Sequence, residues 1–177
     1  ETSQAPSIKQ SVDHVIDQFQ ALLAGEKGAQ GISTGYEELD RMSNGLKPGE
    51  MFVIAARPSM GKTSLMMNIV EHVCIEQSKP SLVFSCEMSS FQIVQRLVFS
   101  RAKFALSQLT RGYKATKADL TRIQRAATEV SAARMFIDDT PGITINEVRA
   151  KARRKKRDEG LEFIAIDYLQ LMRSRTK

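Results

Sequence analysis

The sequence contains few of the residues that build disulfide scaffolds or zinc sites. It has no tryptophan, two cysteines and two histidines in 177 residues. Cys74 and Cys86 stand among apolar residues without C-x-x-C spacing, so we expect small buried side chains rather than a disulfide or a metal pair. His14 and His72 stand alone in the sequence, and no zinc site is readable from them.

Long apolar stretches are also missing. No run approaches the roughly 20 apolar residues that span a bilayer, and the first residues lack the basic-then-apolar layout of a secretion signal. We therefore expect a cytoplasmic protein with no membrane partner. Hydrophobic residues make up 42% of the chain and charged residues 26%, values typical of a globular protein that exclude a disordered tail or a collagen-like rod.

The net charge of +6 arises from one segment. Seven of the 26 lysines and arginines lie between Arg149 and Arg157, which leaves 19 basic against 20 acidic residues elsewhere. Thr144 with Glu147 predicts a capping box, and Gly160 a stop, for a helix whose last turns suit cations. A solvated helix face is therefore favoured, with a nucleic-acid contact as the alternative. The predicted apolar face of this helix comprises Ile145, Val148 and Ala152.

The amino-terminal part of the chain predicts a strongly amphipathic helix over residues 8–23. Ser7 and Gln10 form its capping box, and the helix ends before Gly25. Residues 25–31 then have the composition of a flexible linker. Periodicity alone leaves two alternatives open, because the apolar stripe could pack on its own domain or on another chain.

After a short helix that begins with a Thr34 and Glu37 capping box and closes near Asn44, the pattern alternates between apolar strands and helices. Strands are predicted at 51–56, 82–86, 135–137 and 163–166, and helices at 61–76, 90–104, 118–130 and 145–158. Continuous apolar strands between helices indicate a parallel sheet covered on both faces. The predicted fold class is α/β.

A phosphate-binding motif follows the first predicted strand. Gly61 allows close backbone approach to a phosphate, Lys62 reaches the outer phosphates as a point charge, and the Thr63 hydroxyl suits magnesium. Ala56 occupies the position where this motif usually has glycine, which predicts ordinary β backbone there, with Pro58 fixing part of the loop. A chance Gly-Lys-Thr at a helix start is the alternative. The candidate nucleotide-binding residues are Ala56, Arg57, Pro58, Ser59, Met60, Gly61, Lys62, Thr63 and Ser64.

Two carboxylates follow predicted strands at the edge where α/β sheets bind ligands. Asp167 would hold a magnesium-bound water, and Glu87 would orient and deprotonate the attacking water. The alternative for each acid is a role at the start of the following helix, where a negative charge favours the helix dipole.

Several blocks of the sequence together resemble the DnaB family of hexameric replicative DNA helicases. The blocks are T-G-Y with L-D at 34–40, G-L-K-P-G-E at 45–50, A-A-R-P-S-M-G-K-T at 55–63, E-M-S at 87–89, I-D-D-T-P-G at 137–142 and I-D-Y-L-Q-L-M at 166–172. This family accepts alanine at the position of Ala56.

The resemblance implies a RecA-like P-loop motor domain that hydrolyses ATP with Mg²⁺ at the subunit interfaces of a ring around single-stranded DNA. It implies that Lys62 and Thr63 contact nucleotide and magnesium, that Glu87 and Asp167 are the catalytic and Walker B carboxylates, and that Gln170 is a γ-phosphate sensor. The helix over 8–23 would be a linker helix that packs on the neighbouring subunit of a homo-hexamer. Primase and a helicase loader are implied as further partners.

The implied organisation is a linker helix and tether over residues 1–31 and an ATPase domain over 32–177. By the same resemblance, DNA-contacting loops and an inter-subunit arginine finger would follow residue 177, and a collar domain would precede residue 1. A recombinase or clock-type ATPase with the same nucleotide cradle is the principal alternative. A small-molecule kinase and a nucleotide-binding scaffold without turnover are more distant ones.

Overall fold

The computed structural model describes residues 7–23, 31–57, 59–105 and 107–167. The chain divides between Val53 and Ile54 into two compact units. Most of the predicted linker, together with the predicted site residues Pro58 and Gln170, lies outside the described residues. Among the described helices, none has the length and apolar character needed to cross a membrane.

Two helices lie among the described residues of the amino-terminal unit, α1 (Ile8–Leu23) and α2 (Glu37–Ser43). The predicted capping box of α1 is confirmed, because the Ser7 N–H donates to the Gln10 side chain at 2.9 Å and the Gln10 N–H donates to Ser7 Oγ at 3.3 Å. Most of the apolar side chains that predicted this helix are exposed, so the described residues leave the stripe uncovered. The exposed members are Ile8, Val12, Val15, Ile16, Phe19 and Leu23.

The predicted capping box at the start of α2 is wrong. The N-cap is Tyr36, which makes no capping bond with its side chain. Thr34 is fully buried and donates its N–H and hydroxyl to the Asp40 carboxylate at 2.8 and 2.7 Å, and Ser33 also donates to Asp40. Burial opposes ionisation, but these hydrogen bonds hold the pKa of Asp40 below its usual value. The predicted end of α2 is confirmed by Asn44 in the left-handed region at φ 58°.

Gly31 and Gly45 bring two backbone segments into direct contact beside the Ile32–Leu46 bridge. A Cβ on Gly45 would meet Gly31 backbone atoms at 2.8 Å, and φ there is +76°. We expect Gly45→Ala to destabilise the protein well beyond the strain of positive φ alone, because backbone must move. Gly49 provides the matched control, since its φ is +79° and a Cβ there meets no atom within 4 Å. Gly49→Ala should cost about 1–2 kcal/mol, and equal losses for both variants in urea denaturation would contradict the expectation.

Among its described residues, the carboxy-terminal unit forms a three-stranded parallel sheet with helices on both faces. The predicted parallel sheet covered on both faces is confirmed, with three of the four predicted strands. The strand order is β2-β1-β3, and residues 81–84 of β1 pair with both neighbours. The elements in chain order are α3 (Lys62–Glu71) with a π-helical turn (His72–Glu76), β1 (Ser81–Ser85), α4 (Ser90–Arg101), α5 (Ser107–Thr110), α6 (Lys117–Ala132), β2 (Met135–Asp138), α7 (Ile145–Glu159) and β3 (Phe163–Asp167).

Alternate side chains of β1 form two cores. Val83 packs on one face with residues of α3, α4 and α6, whereas Leu82 and Phe84 pack on the other face with Val148 of α7. This is the period-two alternation of a strand, here buried on both sides. The capping box of Thr144 with Glu147 and the stop at Gly160, which has φ 69°, are confirmed for α7.

Residues 51–56 do not form the predicted strand. Met51 and Val53 are 80% and 64% exposed, and the segment has no ladder partner among the described residues. An apolar run shows the preference of a segment, but a strand also needs a neighbour for its backbone groups. The four-residue helix α5 was not predicted, and the predicted helix over 61–76 changes to π geometry at His72.

Arg101 at the end of α4 joins three helical segments. Its guanidinium pairs with Glu71 of α3 and Glu76 of the π turn, both at 3.0 Å, and with Glu129 of α6. The Arg101 hydrogen bond, followed by that of Arg125, holds the pKa of Glu129 below its usual value.

A carboxyl whose pKa is lowered by folding stabilises the protein above its unfolded-state pKa, and this contribution is lost as pH falls through the folded-state pKa. We therefore expect Arg101→Gln to lower the Tm by several degrees at pH 7 and to flatten the fall of Tm between about pH 5 and pH 3. Arg125→Gln is the comparison, because Arg125 is 84% exposed and pairs with the same Glu129 from within α6, so it should flatten the pH profile less than Arg101→Gln does. Parallel pH profiles for wild type and Arg101→Gln would contradict the assignment.

Candidate nucleoside triphosphate site

The start of α3 has the geometry of an anion-binding helix terminus. Gly61 is the N-cap at φ 84°, and Ser59 is also left-handed at φ 64°. The first turn of α3 contains no acidic residue, and a Cβ built on Gly61 would meet no atom within 4 Å. The backbone N–H groups of this first turn and the positive end of the helix dipole are groups that bind anions.

Asp167, the last residue of β3, contacts the side chains of both Lys62 and Thr63 at this helix start. The Thr63 hydroxyl donates to Asp167 Oδ2 at 2.6 Å, and Lys62 Nζ lies 3.3 Å from Asp167 Oδ1. The Asp167 side chain is 3% exposed, whereas that of Lys62 is 28% exposed. Residues 104 positions apart thus form one cluster of hydroxyl, ammonium and carboxylate.

Glu87 follows β1, the strand that pairs with β3 in the sheet. Ser85 is the register partner of Asp167, and the Cys86 N–H donates to the Asp167 carbonyl at 2.7 Å. Glu87 follows directly and is exposed. Glu87 and Asp167 therefore lie at the same edge of the sheet, at the carboxyl ends of β1 and β3.

The other described residues of the predicted phosphate-binding loop are exposed. Ala56 and Arg57 are exposed, and the Met60 N–H donates to the Arg57 carbonyl at 3.3 Å. The left-handed conformation of Ser59 was not predicted, since the motif attracted attention only to its glycine. Ser64 is exposed within the first turn of α3.

Sequence reasoning also missed two neighbours at this edge, Cys86 and Asp138. Burial, and then the Asp167 and Asp138 carboxylates, raise the pKa of the Cys86 thiol. Burial opposes ionisation of Asp138, but hydrogen bonds from Lys151 and Thr140 hold its pKa below the usual value. The position of Asp138 at the end of an apolar strand was the signal that could have found it.

The donor set at Asp167 suits a magnesium ion. Mg²⁺ binds through one or two carboxylates and other oxygens, and it retains several waters. Asp167 supplies a buried carboxylate and Thr63 a hydroxyl 2.6 Å away. Lys62 at 3.3 Å provides the point charge that outer phosphates require. The residues present therefore fit a magnesium–nucleotide complex.

The basic residues of α7 lie mainly in solvent. Arg149, Arg153, Arg154, Lys156 and Arg157 are exposed. Lys151 pairs with Asp138, and Lys155 stacks 3.6 Å from the Phe136 ring centroid. Ile145 is 53% exposed, so of the predicted apolar face only Val148 and Ala152 belong to the core. The exposure agrees with the solvated helix face that the sequence favoured, and a nucleic-acid contact at this helix stays the untested alternative.

A parallel sheet flanked by helices, with a P-loop helix start against the carboxyl end of β3, is the architecture of a RecA-like P-loop domain. Residues 31–177 match the family model described as the DnaB-like helicase C-terminal domain, and the chain belongs to that family.

Similar proteins agree with this membership. The chain is 37% identical to the replicative DNA helicase DnaB of Geobacillus stearothermophilus over 94% of its length, and 37% identical to the replicative DNA helicase DnaC of Bacillus subtilis over 97%. The chain spans about a third of the length of those relatives, 36% and 37% respectively.

Two solved structures are similar in fold. One is an isolated ATPase domain, which superposes with a TM-score of 0.84 at 28% identity, over 98% of this chain and 61% of that one. The other is a DnaB-like replicative helicase, described with its interactions with primase, which gives a TM-score of 0.82 at 27% identity, over 98% and 41%.

Proposed function

We propose that this chain is the motor of a replicative DNA helicase, which hydrolyses ATP to translocate on single-stranded DNA. The observation that carries the proposal is the convergence of Thr63 and Lys62 on buried Asp167, beside the strand that leads to Glu87. These are the parts that phosphoryl transfer to water requires. In this proposal residues 1–31 are a linker helix and tether, and residues 32–177 are the ATPase domain.

Each residue of the cluster has a role in this reaction. The amides around Gly61 and the Lys62 ammonium bind the phosphates of ATP, and Thr63 with Asp167 holds Mg²⁺. Bound there, Mg²⁺ would neutralise charge that develops on the phosphate oxygens. Lys62 must move from Asp167 toward the nucleotide, and Glu87 orients the attacking water and accepts its proton. Gln170 completes the proposal as the γ-phosphate sensor.

The partners follow from the same proposal. The exposed apolar side chains of α1 support packing on a second copy of the chain, because apolar side chains along one helix face favour burial. A homo-hexamer through α1, single-stranded DNA, primase and a helicase loader are the proposed partners. The predicted cytoplasmic location belongs to the same proposal.

Steady-state ATP hydrolysis with and without single-stranded DNA tests this function, measured on the chain together with the residues that the resemblance places after position 177. We expect Mg²⁺-dependent hydrolysis that single-stranded DNA stimulates severalfold. Lys79→Ala is a suitable control, because Lys79 pairs with Glu162 at 2.5 Å beside the amino end of the sheet. Hydrolysis indifferent to DNA would instead favour a clock-type ATPase, and nucleotide binding without turnover would favour a scaffold.

A further inference from the structure

Hydrogen bonds of the Ser85 side chain join the end of β1 to Met88 in the loop that carries Glu87. The Ser85 hydroxyl donates to the Met88 carbonyl at 2.7 Å and accepts from the Met88 N–H at 3.1 Å. This pair of hydrogen bonds spans Glu87 and joins the end of β1 to the residue just before the N-cap of α4. The direction of the Glu87 side chain is therefore coupled to the position of the α4 start.

The other end of the loop is tethered to a different strand. The backbone N–H of Ser90, the first residue of α4, donates to Asp139 Oδ2 at 2.7 Å. Asp139 follows β2 and is 49 positions away in the sequence. Hydrogen bonds from the Ser90 backbone and then its side chain hold the pKa of Asp139 below its usual value, so the acceptor is ionised at neutral pH.

The tether is additional to the local capping of α4. Ser89 and Gln92 already form a complete capping box, so the helix start is stabilised without Asp139. The Ser90 N–H lies at the surface, where water could replace Asp139 at little cost. A negative charge at this helix start also favours the helix dipole, but the gain at an exposed position is small, so helix stability accounts for only part of the contact.

The loop that contains Asp139 is fixed by hydrogen bonds to the preceding residue, Asp138. The preceding Asp138 accepts from the Thr140 N–H at 3.1 Å and from Lys151, which belongs to α7. The loop after β2 is thereby joined to the helix on the opposite face of the sheet. Because Ser90 donates to Asp139, the position of the α4 start depends on the positions of β2 and α7.

We infer that Asp139 is a positioning residue for the Glu87 carboxylate, because its hydrogen bond to Ser90 fixes the α4 end of the loop that carries Glu87. The inference rests on the proposed function, in which Glu87 orients the attacking water. It adds that β2, to which that function assigns no catalytic group, sets the catalytic geometry through the long-range contact between Asp139 and Ser90.

Two substitutions remove this bond from opposite sides. Asp139→Ala deletes the acceptor, and Ser90→Pro deletes the donor at the first helical position, where proline is well accepted. Ser89 has φ −68° and ψ 155°, which suits a residue before proline. We expect both variants to lower kcat for ATP at least about tenfold while the KM for ATP and the Tm stay near wild type. Asp139→Asn retains an acceptor oxygen and should recover most of kcat.

Gln92→Ala is the matched control. It removes the capping-box partner of the same helix but leaves the Ser90–Asp139 bond, so it should lower the Tm without lowering kcat. Wild-type kcat in both Asp139→Ala and Ser90→Pro would overturn the inference. A fall in kcat for Gln92→Ala as large as that for Asp139→Ala would also overturn it, because any loosening of the helix start would then suffice.

A double-mutant cycle separates this inference from the proposed function. In a Glu87→Gln background, Asp139→Ala should cause no further loss, because a positioning residue has nothing left to position. An additional loss of about tenfold would show that Asp139 acts independently of Glu87 and would overturn the inference alone. Wild-type turnover by Glu87→Gln itself would overturn the catalytic assignment of Glu87 and the inference with it.

Discussion

Glu87→Gln is expected to bind ATP with near wild-type affinity but to hydrolyse it about 10²–10⁴-fold more slowly, the range that a general base contributes. Glutamine keeps the size and a hydrogen-bonding oxygen, but it does not accept the proton of the attacking water. Glu87 is exposed at the end of β1, beside the strand that holds Asp167, so the substitution should leave the fold intact.

Single-turnover hydrolysis and a fluorescent-nucleotide titration on the same preparations measure the two effects separately. Glu162→Gln is the control, because Glu162 precedes β3 at the amino edge of the sheet and pairs with Lys79. Its turnover should match wild type. Unchanged hydrolysis by Glu87→Gln would return Glu87 to a role at the start of α4, where its charge favours the helix dipole.

Lys62→Ala is expected to abolish tight Mg-ATP binding, with an increase in Kd of at least about 10- to 100-fold, corresponding to the roughly 1.5–3 kcal/mol of a charged hydrogen bond. The structure adds a second consequence. Lys62 also lies 3.3 Å from Asp167, whose side chain is 3% exposed, so its removal leaves a buried carboxylate with only the Thr63 hydroxyl of this cluster as partner. The variant should therefore also lose stability without nucleotide.

Lys79→Ala gives the matched comparison for both effects. Lys79 and Lys62 each pair with a carboxylate beside β3, at opposite ends of the sheet, but Glu162 is 40% exposed whereas Asp167 is 3% exposed. Lys79→Ala should bind ATP normally and change the Tm little. Equal nucleotide affinity for Lys62→Ala and wild type in the same titration would show that Lys62 does not contact the phosphates.

Features that depend on neighbours within about four residues could be read from the sequence. The capping boxes of Ser7 with Gln10 and of Thr144 with Glu147 are such features, because donor and acceptor lie three positions apart. The same holds for the apolar strand around Val83 and for the helix that starts at Lys62. Local chemistry was misleading at Thr34, because its hydroxyl donates to Asp40, six positions away, instead of accepting from a backbone N–H of the first helical turn.

The sequence by itself determined the α/β class, the glycine before the α3 helix start and the two carboxylates at the carboxyl ends of β1 and β3, because these depend on short-range patterns. Only the tertiary structure decided that Thr63 meets Asp167 across 104 positions, with Lys62 beside it, and that Ser90 meets Asp139 across 49. It also decided that residues 51–56 form no strand. Each of these outcomes depends on a partner distant in the chain, and the free energy of such a contact exists only once folding has brought both groups together.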